Sequence, residues 1–390
     1  MLRLGVIGYG RRMRHLVQTL ARFRADTAIV GIVDPRADDL RRLYPDELAG
    51  VPFYDDATAL LDGATPDGVM IGTRCSSHTP LAVEVLARDL PLFLEKPVAV
   101  DHEQLATLRA AAARSRGQVV VSFPLRLSAI CQAALGIVDS GVLGTIEHVQ
   151  AVNNVPFYAA DYYHNWMRDD AETGGLWLQK ATHDFDYLDA LIRQRPVRVT
   201  AMESKTVFRG DLPAGLRCVD CSLQVECAES PLNLFLQGVT EAVEPNEWRC
   251  SFAVDTGNHD SASAIIGYES GMHAVYTQNF YTRRGAAARG ATLIGYRGTL
   301  SFDWYRGEIV VNHHHSPRVE RHSFAEGGHG HHGGDEALLR DFLAVLTGRG
   351  ESRAPLEAGI RSAELCLLAR EACRTQRVMA VPTHEPVRTG

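Results

Sequence analysis

The tightest constraint on the fold stands at the start of the chain. A β-rich run, Leu2 to Ile7, breaks at Gly8-Tyr9-Gly10 and gives way to Leu16, Leu20 and Phe23 at helical spacing. A second β-rich run, Ile29-Val30-Gly31-Ile32-Val33, follows. Strand, glycine turn, helix, strand is the repeating unit of doubly wound parallel sheets. A glycine turn there lets backbone N–H groups approach a pyrophosphate, and the helix N-terminus behind it favours negative charge. Gly8 and Gly10 fit that role. The third glycine of the usual pattern falls on Met13, which predicts looser packing of helix on strand. Asp34 ends the second strand, where a carboxylate accepts hydrogen bonds from an adenosine ribose and repels a 2′-phosphate. This favours NAD, with Arg36 as a rival cation that would suit NADP.

The alternation continues through Gly68 to Ile71, a helix-like Pro80 to Arg88, Pro91 to Leu94, a helical stretch from Asp101 to Arg116, and Gln118 to Val121. Beyond Ser122 the texture changes to longer β-rich runs: Ile146 to Val152, Val197 to Met202, Leu232 to Gly238, His273 to Phe280, Gly298 to Phe302 and Glu308 to Asn312. The expected fold is α/β, with a Rossmann parallel sheet over 1–122 and a second α/β domain with a large, mainly antiparallel open sheet over 123–390. A chain of 390 residues, 45% of them hydrophobic, has material for two such units. A net charge of -7 without a basic run argues against nucleic acid as partner. No stretch reads as a leader peptide or a membrane span, so the expected location is the cytosol.

The strand ending Leu92-Phe93-Leu94-Glu95-Lys96-Pro97, joined by His78, Phe123, Arg126, Gly141-Val142-Leu143-Gly144-Thr145-Ile146 and Gly295-Tyr296-Arg297-Gly298-Thr299-Leu300, resembles the Gfo/Idh/MocA oxidoreductase family. The run from Gly174-Gly175 through Trp177, Gln179, Lys180, Thr182 and His183 to Asp186 is similar to that family's substrate-domain helix, in a subgroup reading Lys-x-Thr-His. The resemblance implies an active site between the two domains and a homodimer or homotetramer. It implies that Lys96 contacts the substrate hydroxyl and the nicotinamide ribose, that His183 is a general acid/base, and that a cis bond can precede Pro97. Arg11, Arg12, Thr73, His78 and Glu95 are the remaining candidate cofactor contacts. Where the family helix carries an aspartate one turn before the histidine, this chain has Gln179, which can position but not titrate. Lys180 is the candidate for the missing polar function, or else the ion-pair partner of Asp184.

Tyr158, Tyr162, Tyr163, His164, Asn165, Trp166 and Arg168 interleave aromatic rings with hydrogen-bonding groups, which suits a sugar's apolar face and polar rim. Tyr163, His164, Trp166 and Arg168 are the substrate candidates, with Arg126 and, from a glycine-rich stretch with His329, His331 and His332 ahead of a helix that Asp335 could cap, His329; that stretch could fold over the substrate pocket, or else be a surface loop. A packed aromatic core would use the same residue types. His313, His314 and His315 alternate faces and cannot all serve one metal. Cys218, Cys221 and Cys227, with Cys250, are spaced as a possible structural zinc set, against the alternative of reduced thiols in a polar loop.

The function expected is an NAD(P)-dependent dehydrogenase acting on a secondary hydroxyl of a sugar, sugar derivative or polyol. Two rivals share its sequence features: an NAD-dependent glycosidase or eliminase that oxidises transiently, and a non-catalytic nucleotide-sensing protein.

Overall fold

The computed structural model describes residues 1–24, 26–156, 160–238, 248–325 and 331–384. Tyr158 and His329 lie outside the described residues.

The first sheet is parallel and five-stranded: β1 (Leu2–Ile7), β2 (Thr27–Val33), β3 (Gly68–Ile71), β4 (Leu92–Leu94) and β5 (Val119–Val121), in the order β2-β1-β3-β4-β5. Every residue of β3, β4 and β5 is buried, as apolar strands covered on both faces must be. The strand order reverses between β1 and β3. That switch point opens a crevice at the carboxyl ends of the strands, where open α/β sheets bind ligands.

The second sheet has nine strands: β6 (Ile146–Asn154), β7 (Pro196–Ser204), β8 (Ser261–Tyr268), β9 (His273–Asn279), β10 (Ala288–Gly295), β11 (Gly298–Asp303), β12 (Glu308–His313), β13 (Val319–Ser323) and β14 (Met379–Ala380). Their order is β13-β12-β11-β10-β6-β9-β8-β7-β14. Only β6 and β9 run parallel; every other neighbouring pair is antiparallel. Along β9 exposed and buried residues alternate, the mark of a sheet with one covered face. One expected strand is corrected. Leu232 to Leu236 belongs to a helix, Pro231–Leu236, and Gln237 and Gly238 to the turn after it, because Pro231 at its first turn presets a helical φ and lacks only an N–H that would have no helical partner there.

The chain returns to the first sheet after finishing the second. The helix Gly334–Leu346 sets Phe342 edge-on against Phe93 of β4, ring centroids 5.6 Å apart. The N–H of Val121 in β5 donates to the carbonyl of Ala354 at 2.8 Å, and Gly359 of the helix Leu356–Thr375 lies so close to Val98 and Val121 that a Cβ would stand 2.8 and 3.0 Å from their methyl groups. One hydrophobic core therefore runs through both sheets. No described helix is long and apolar enough to cross a membrane.

Candidate active site

The glycine turn follows β1 directly. Gly8 has φ +83°, and a Cβ there would stand 2.8 Å from the backbone of Gly72 and Thr73, so only glycine fits. Gly10 caps the helix Arg11–Phe23, and a Cβ on it would meet no atom within 4 Å. The space over Gly10 is thus open in front of a helix N-terminus, which fits the pyrophosphate of a dinucleotide. Met13 is fully buried, so the packing is not loose. The room it needs comes from Gly72, just beyond β3, where a Cβ would stand 2.7 Å from Met13 Cε. Asp34 accepts from the N–H of Tyr9 at 2.8 Å and of Arg36 at 2.9 Å, tying the end of β2 to the glycine turn. The Arg36 guanidinium reaches the same carboxylate at 3.4 Å.

After β4, Lys96 is joined to Pro97 by a cis peptide bond. His78 braces this bend from below: its Nδ1 is 2.7 Å from the Pro97 carbonyl and its Nε2 3.2 Å from that of Thr73. His78 is buried, so it shapes the site rather than lining it. Lys96 Nζ donates to the carbonyl of Gln179 at 2.7 Å and to its Oε1 at 3.3 Å, which links the first unit to the second. Arg74 adds another link, its guanidinium 4.9 Å from the ring centroid of Trp166.

Gln179 and Lys180 sit in a π-helical turn, Trp177–Ala181, that runs into the helix Thr182–Ile192 carrying His183. Such wide turns interrupt the regular carbonyl ladder and recur at functional sites. Beneath the turn, Asp184 is fully buried and accepts from Asn153 of β6 (2.6 Å), Tyr276 of β9 (2.8 Å) and Arg289 of β10 (2.8 Å). Asp184 is thus the partner of Arg289 and not of Lys180, which corrects the ion-pair expectation. Among the described residues no carboxylate lies within ion-pair distance of Lys180 Nζ, which faces the ring of Tyr162 at 5.6 Å. Burial first, then the nearby Arg289, brings its pKa down to about 7. Burial likewise lowers Lys96. His183 is buried, with Nδ1 lacking any hydrogen-bond partner, and is held well below the ordinary histidine range by burial and by Lys96, Arg289, His331 and Lys180. It is therefore a neutral imidazole at pH 7.

Several expected site residues lie elsewhere or are already engaged. Arg12 spans Glu95 (3.1 Å) and Asp335 (2.6 Å), and Glu95 also accepts from Ser122. Arg126 pairs with Asp186 at 2.8 Å and lines a separate surface cavity of about 730 Å³ beside Arg193, Arg353 and Arg361. Tyr163 packs in a second apolar cluster with Val155, Leu176, Phe208 and Phe280, its hydroxyl donating to the His259 carbonyl at 2.6 Å. His164 stacks on Trp248 with its Nδ1 2.6 Å from the Arg249 carbonyl, and burial drops its pKa to about 4. Arg168 is buried on Asp255 and Thr256. These three are held in the core by the partners they bond there, with Nε2 of His164 and Nε of Arg168 left unbonded. Of the aromatic run, Trp166 stays at the junction of the two units.

The cysteines expected as a zinc set do not form one. Cys218 and Cys250 flank the isolated bridge between Arg217 and Arg249, and burial with the neighbouring thiols of Cys250, Cys227 and Cys221 pushes Cys218 up to about 12. Among the described residues no group of three or more His, Cys, Asp or Glu side chains is arranged to hold a metal ion.

The stretch carrying His329, His331 and His332, expected from the sequence to fold over the substrate pocket, brings His331 to the site. His331 comes within 5.8 Å of His183, ring centroid to centroid, and its Nδ1 is 3.2 Å from Asp335. The glycine- and histidine-rich composition marked that stretch, but only the fold brings it to His183.

Two family models match the chain: the Gfo/Idh/MocA oxidoreductase family, NAD-binding Rossmann fold, over residues 2–123, and the Gfo/Idh/MocA C-terminal domain over residues 131–301. YteT of Bacillus subtilis (strain 168) is 25% identical over 372 residues, 83% of this chain and 84% of that protein. Inositol 2-dehydrogenase of Gluconacetobacter diazotrophicus is 23% identical over 239 residues, 58% of this chain and 71% of that one. The structure of levoglucosan dehydrogenase in complex with NADH and levoglucosan superposes with a TM-score of 0.75 at 16% identity, covering 98% of this chain and all of that one.

Proposed function

Since the chain belongs to the Gfo/Idh/MocA family of NAD(P)-dependent oxidoreductases, we propose that its substrate is a secondary hydroxyl of a sugar, sugar derivative or polyol, and that Lys96 and His183 handle the hydroxyl proton. One observation carries this reading. Lys96, from the end of β4, and the π-turn leading to His183 meet through a 2.7 Å hydrogen bond at the crevice of the first sheet. Inositol and levoglucosan dehydrogenases among the similar proteins support a polyhydroxylated substrate.

The Gly8–Gly10 turn with the first turn of the following helix would hold the pyrophosphate, and Asp34 the adenosine ribose, so that NAD is preferred over NADP. Bound NAD⁺ supplies the two-electron acceptor for the carbon that loses hydride. The protein's own task is the proton. His183, neutral because it is buried among cations, can accept it, and a protonated Lys96 stabilises negative charge developing on the substrate oxygen. Gln179 holds Lys96 in place through its carbonyl and side-chain oxygens.

Incubation with NAD⁺ and a panel of sugars, polyols and glycosides, followed at the reduced-nicotinamide absorbance, should show turnover. Lys96→Ala and His183→Ala should each lower kcat by about a hundredfold to ten-thousandfold, with NAD⁺ affinity largely kept because neither residue builds the glycine turn. Near-normal turnover in both variants would sink the reading. Lys180 favours a second one: a lysine with a pKa near 7 and no ion-pair partner among the described residues is a further base, as redox-assisted cleavage of a glycoside requires. Release of the aglycone without accumulation of reduced cofactor in the same incubation would select that reading.

A further inference from the structure

Two histidines approach each other at the site, and they are not equivalently held. His183 has no partner for its buried Nδ1. His331 does: its Nδ1 lies 3.2 and 3.3 Å from the two oxygens of Asp335. Asp335 is itself fixed, its side chain only 1% exposed and clamped by both terminal nitrogens of Arg12 at 2.6 Å. A carboxylate on Nδ1 selects the tautomer with the proton there, which leaves Nε2 as a bare lone pair. No described residue is bonded to that Nε2. The side chain keeps about a third of its surface exposed (35%), so the lone pair is not sealed into the core.

The backbone adds an independent sign. His331 and His332 have φ of +44° and +55°, in the left-handed region that few non-glycine residues occupy, although histidine, like Asn and Asp, enters it more readily than most. Gly333 continues at +79°, and Gly334 presses so closely on Pro124 that a Cβ would stand 2.0 Å from its carbonyl oxygen. Two histidines held in this conformation cost free energy, and such strain clusters where a side chain must be aimed.

We propose that His331, oriented by Asp335 and 5.8 Å from His183 ring to ring, is a second acid/base of the reaction, exchanging the substrate's hydroxyl proton with His183. This rests on the dehydrogenase reading above. In the oxidative direction the hydroxyl proton passes from the substrate to His183, as above, and on to Nε2 of His331, which releases it to solvent; the hydride, with both its electrons, would go to bound NAD⁺, so the products are the ketone, reduced cofactor and one proton. Arg12 is a positioning residue acting through Asp335. The same Arg12 sits on Glu95, next to Lys96, so both ends of the reacting hydroxyl's surroundings are tied to the helix that follows the glycine turn.

The charged groups around His331 set the pH behaviour. Burial first holds its pKa below the ordinary value; Asp335 raises it, Arg12 and Arg289 of β10 lower it further, and His183 and His332 face it as neutral rings at pH 7, while His15 stands 3.9 Å from Asp335. Removing the Asp335 charge therefore lowers the pKa of His331.

The test uses the full-length protein in three measurements. His331→Gln should reduce kcat by about a hundredfold or more with NAD⁺ affinity, measured by fluorescence titration, unchanged. Asp335→Asn should move the acid limb of the kcat/KM profile to lower pH, an effect a purely structural role does not produce. In cofactor-free protein labelled with ¹⁵N-histidine, the His331 ring, assigned by its loss in His331→Gln, should carry its proton on Nδ1 in the wild type and populate both tautomers in Asp335→Asn. Wild-type kcat in His331→Gln while His183→Ala is inactive would overturn this inference alone. Wild-type kcat in His183→Ala and Lys96→Ala would instead remove the reading beneath it. If Asp335→Asn leaves both the acid limb and the tautomer where they were, Asp335 does not orient His331 and the proposal fails.

Discussion

The two walls of the site are built from different materials. The cofactor-side wall is mostly backbone: a glycine at φ +83°, an open helix N-terminus at Gly10, and a strand end whose lysine is set by a cis proline. The opposite wall is mostly buried charge. There Asp184 gathers Arg289, Asn153 and Tyr276 from three strands, and Asp335 gathers Arg12 and His331 from both ends of the chain. A backbone wall depends mainly on residues adjacent in sequence; a charge wall also draws in partners as far off as Arg289, 105 residues from Asp184, and Arg12, 323 residues from Asp335. The two should therefore fail differently when disturbed.

The largest effect is expected in the charge wall. Asp184→Ala leaves Arg289 buried and uncompensated, which should cost about 3–5 kcal/mol of stability, read as a large drop in denaturant midpoint. A midpoint within error of wild type would show that Arg289 finds water or another acceptor, and that the charge wall is softer than its burial suggests.

The backbone wall should split by position. Gly8→Ala meets both positive φ and the Gly72 backbone, so it should lower stability by roughly 1–3 kcal/mol. Gly10→Ala has open space and should leave stability unchanged while weakening NAD⁺ binding, since the new methyl group points where a pyrophosphate would lie. Equal stability losses in the two variants would erase the distinction between a glycine needed for the fold and one needed for the ligand.

The smallest effect joins the walls. Lys180 has a folded pKa near 7 against an ordinary value near 10.5, so the unfolded chain binds more protons between those values. Its burial is thus a penalty present in full below about pH 7 and relieved as the pH rises toward 10. Lys180→Met should raise the Tm by a few degrees, about 1 °C per kcal/mol for a chain of this length, at pH 6, with the gain shrinking by pH 10. A gain independent of pH would mean that the charge of Lys180 is already solvated.

This contrast also explains what was legible in the sequence. The glycine turn, Asp34, Lys96-Pro97 and His183 announce themselves because local geometry demands those residue types in that order. Met13 misleads in isolation: the room that a third glycine usually provides is supplied by Gly72, just past the end of the neighbouring strand, a pairing no local window contains. Tyr163, His164 and Arg168 have the composition of a sugar site, yet carbonyls, an indole and a carboxylate contributed by 248–260 draw them into the core. Arg12 sits where a phosphate contact is expected, and its true partner is Asp335, over three hundred residues on. The helix at Pro231–Leu236 was missed because its short apolar run carries no periodicity to tell it from a strand.

The return of the chain to the first sheet has a consequence for the order in which the molecule can be assembled. The edge of β5 is closed by Ala354 and the face of β4 by Phe342, so the dinucleotide half stays unfinished until the segment 334–375 has been synthesised and docked. Cutting the chain after residue 122 would expose Phe93, Val121 and the pocket that Leu346 fills against Gly68. The half that looks most like a portable module is therefore not one: the polypeptide must complete its tail before its head has a complete core.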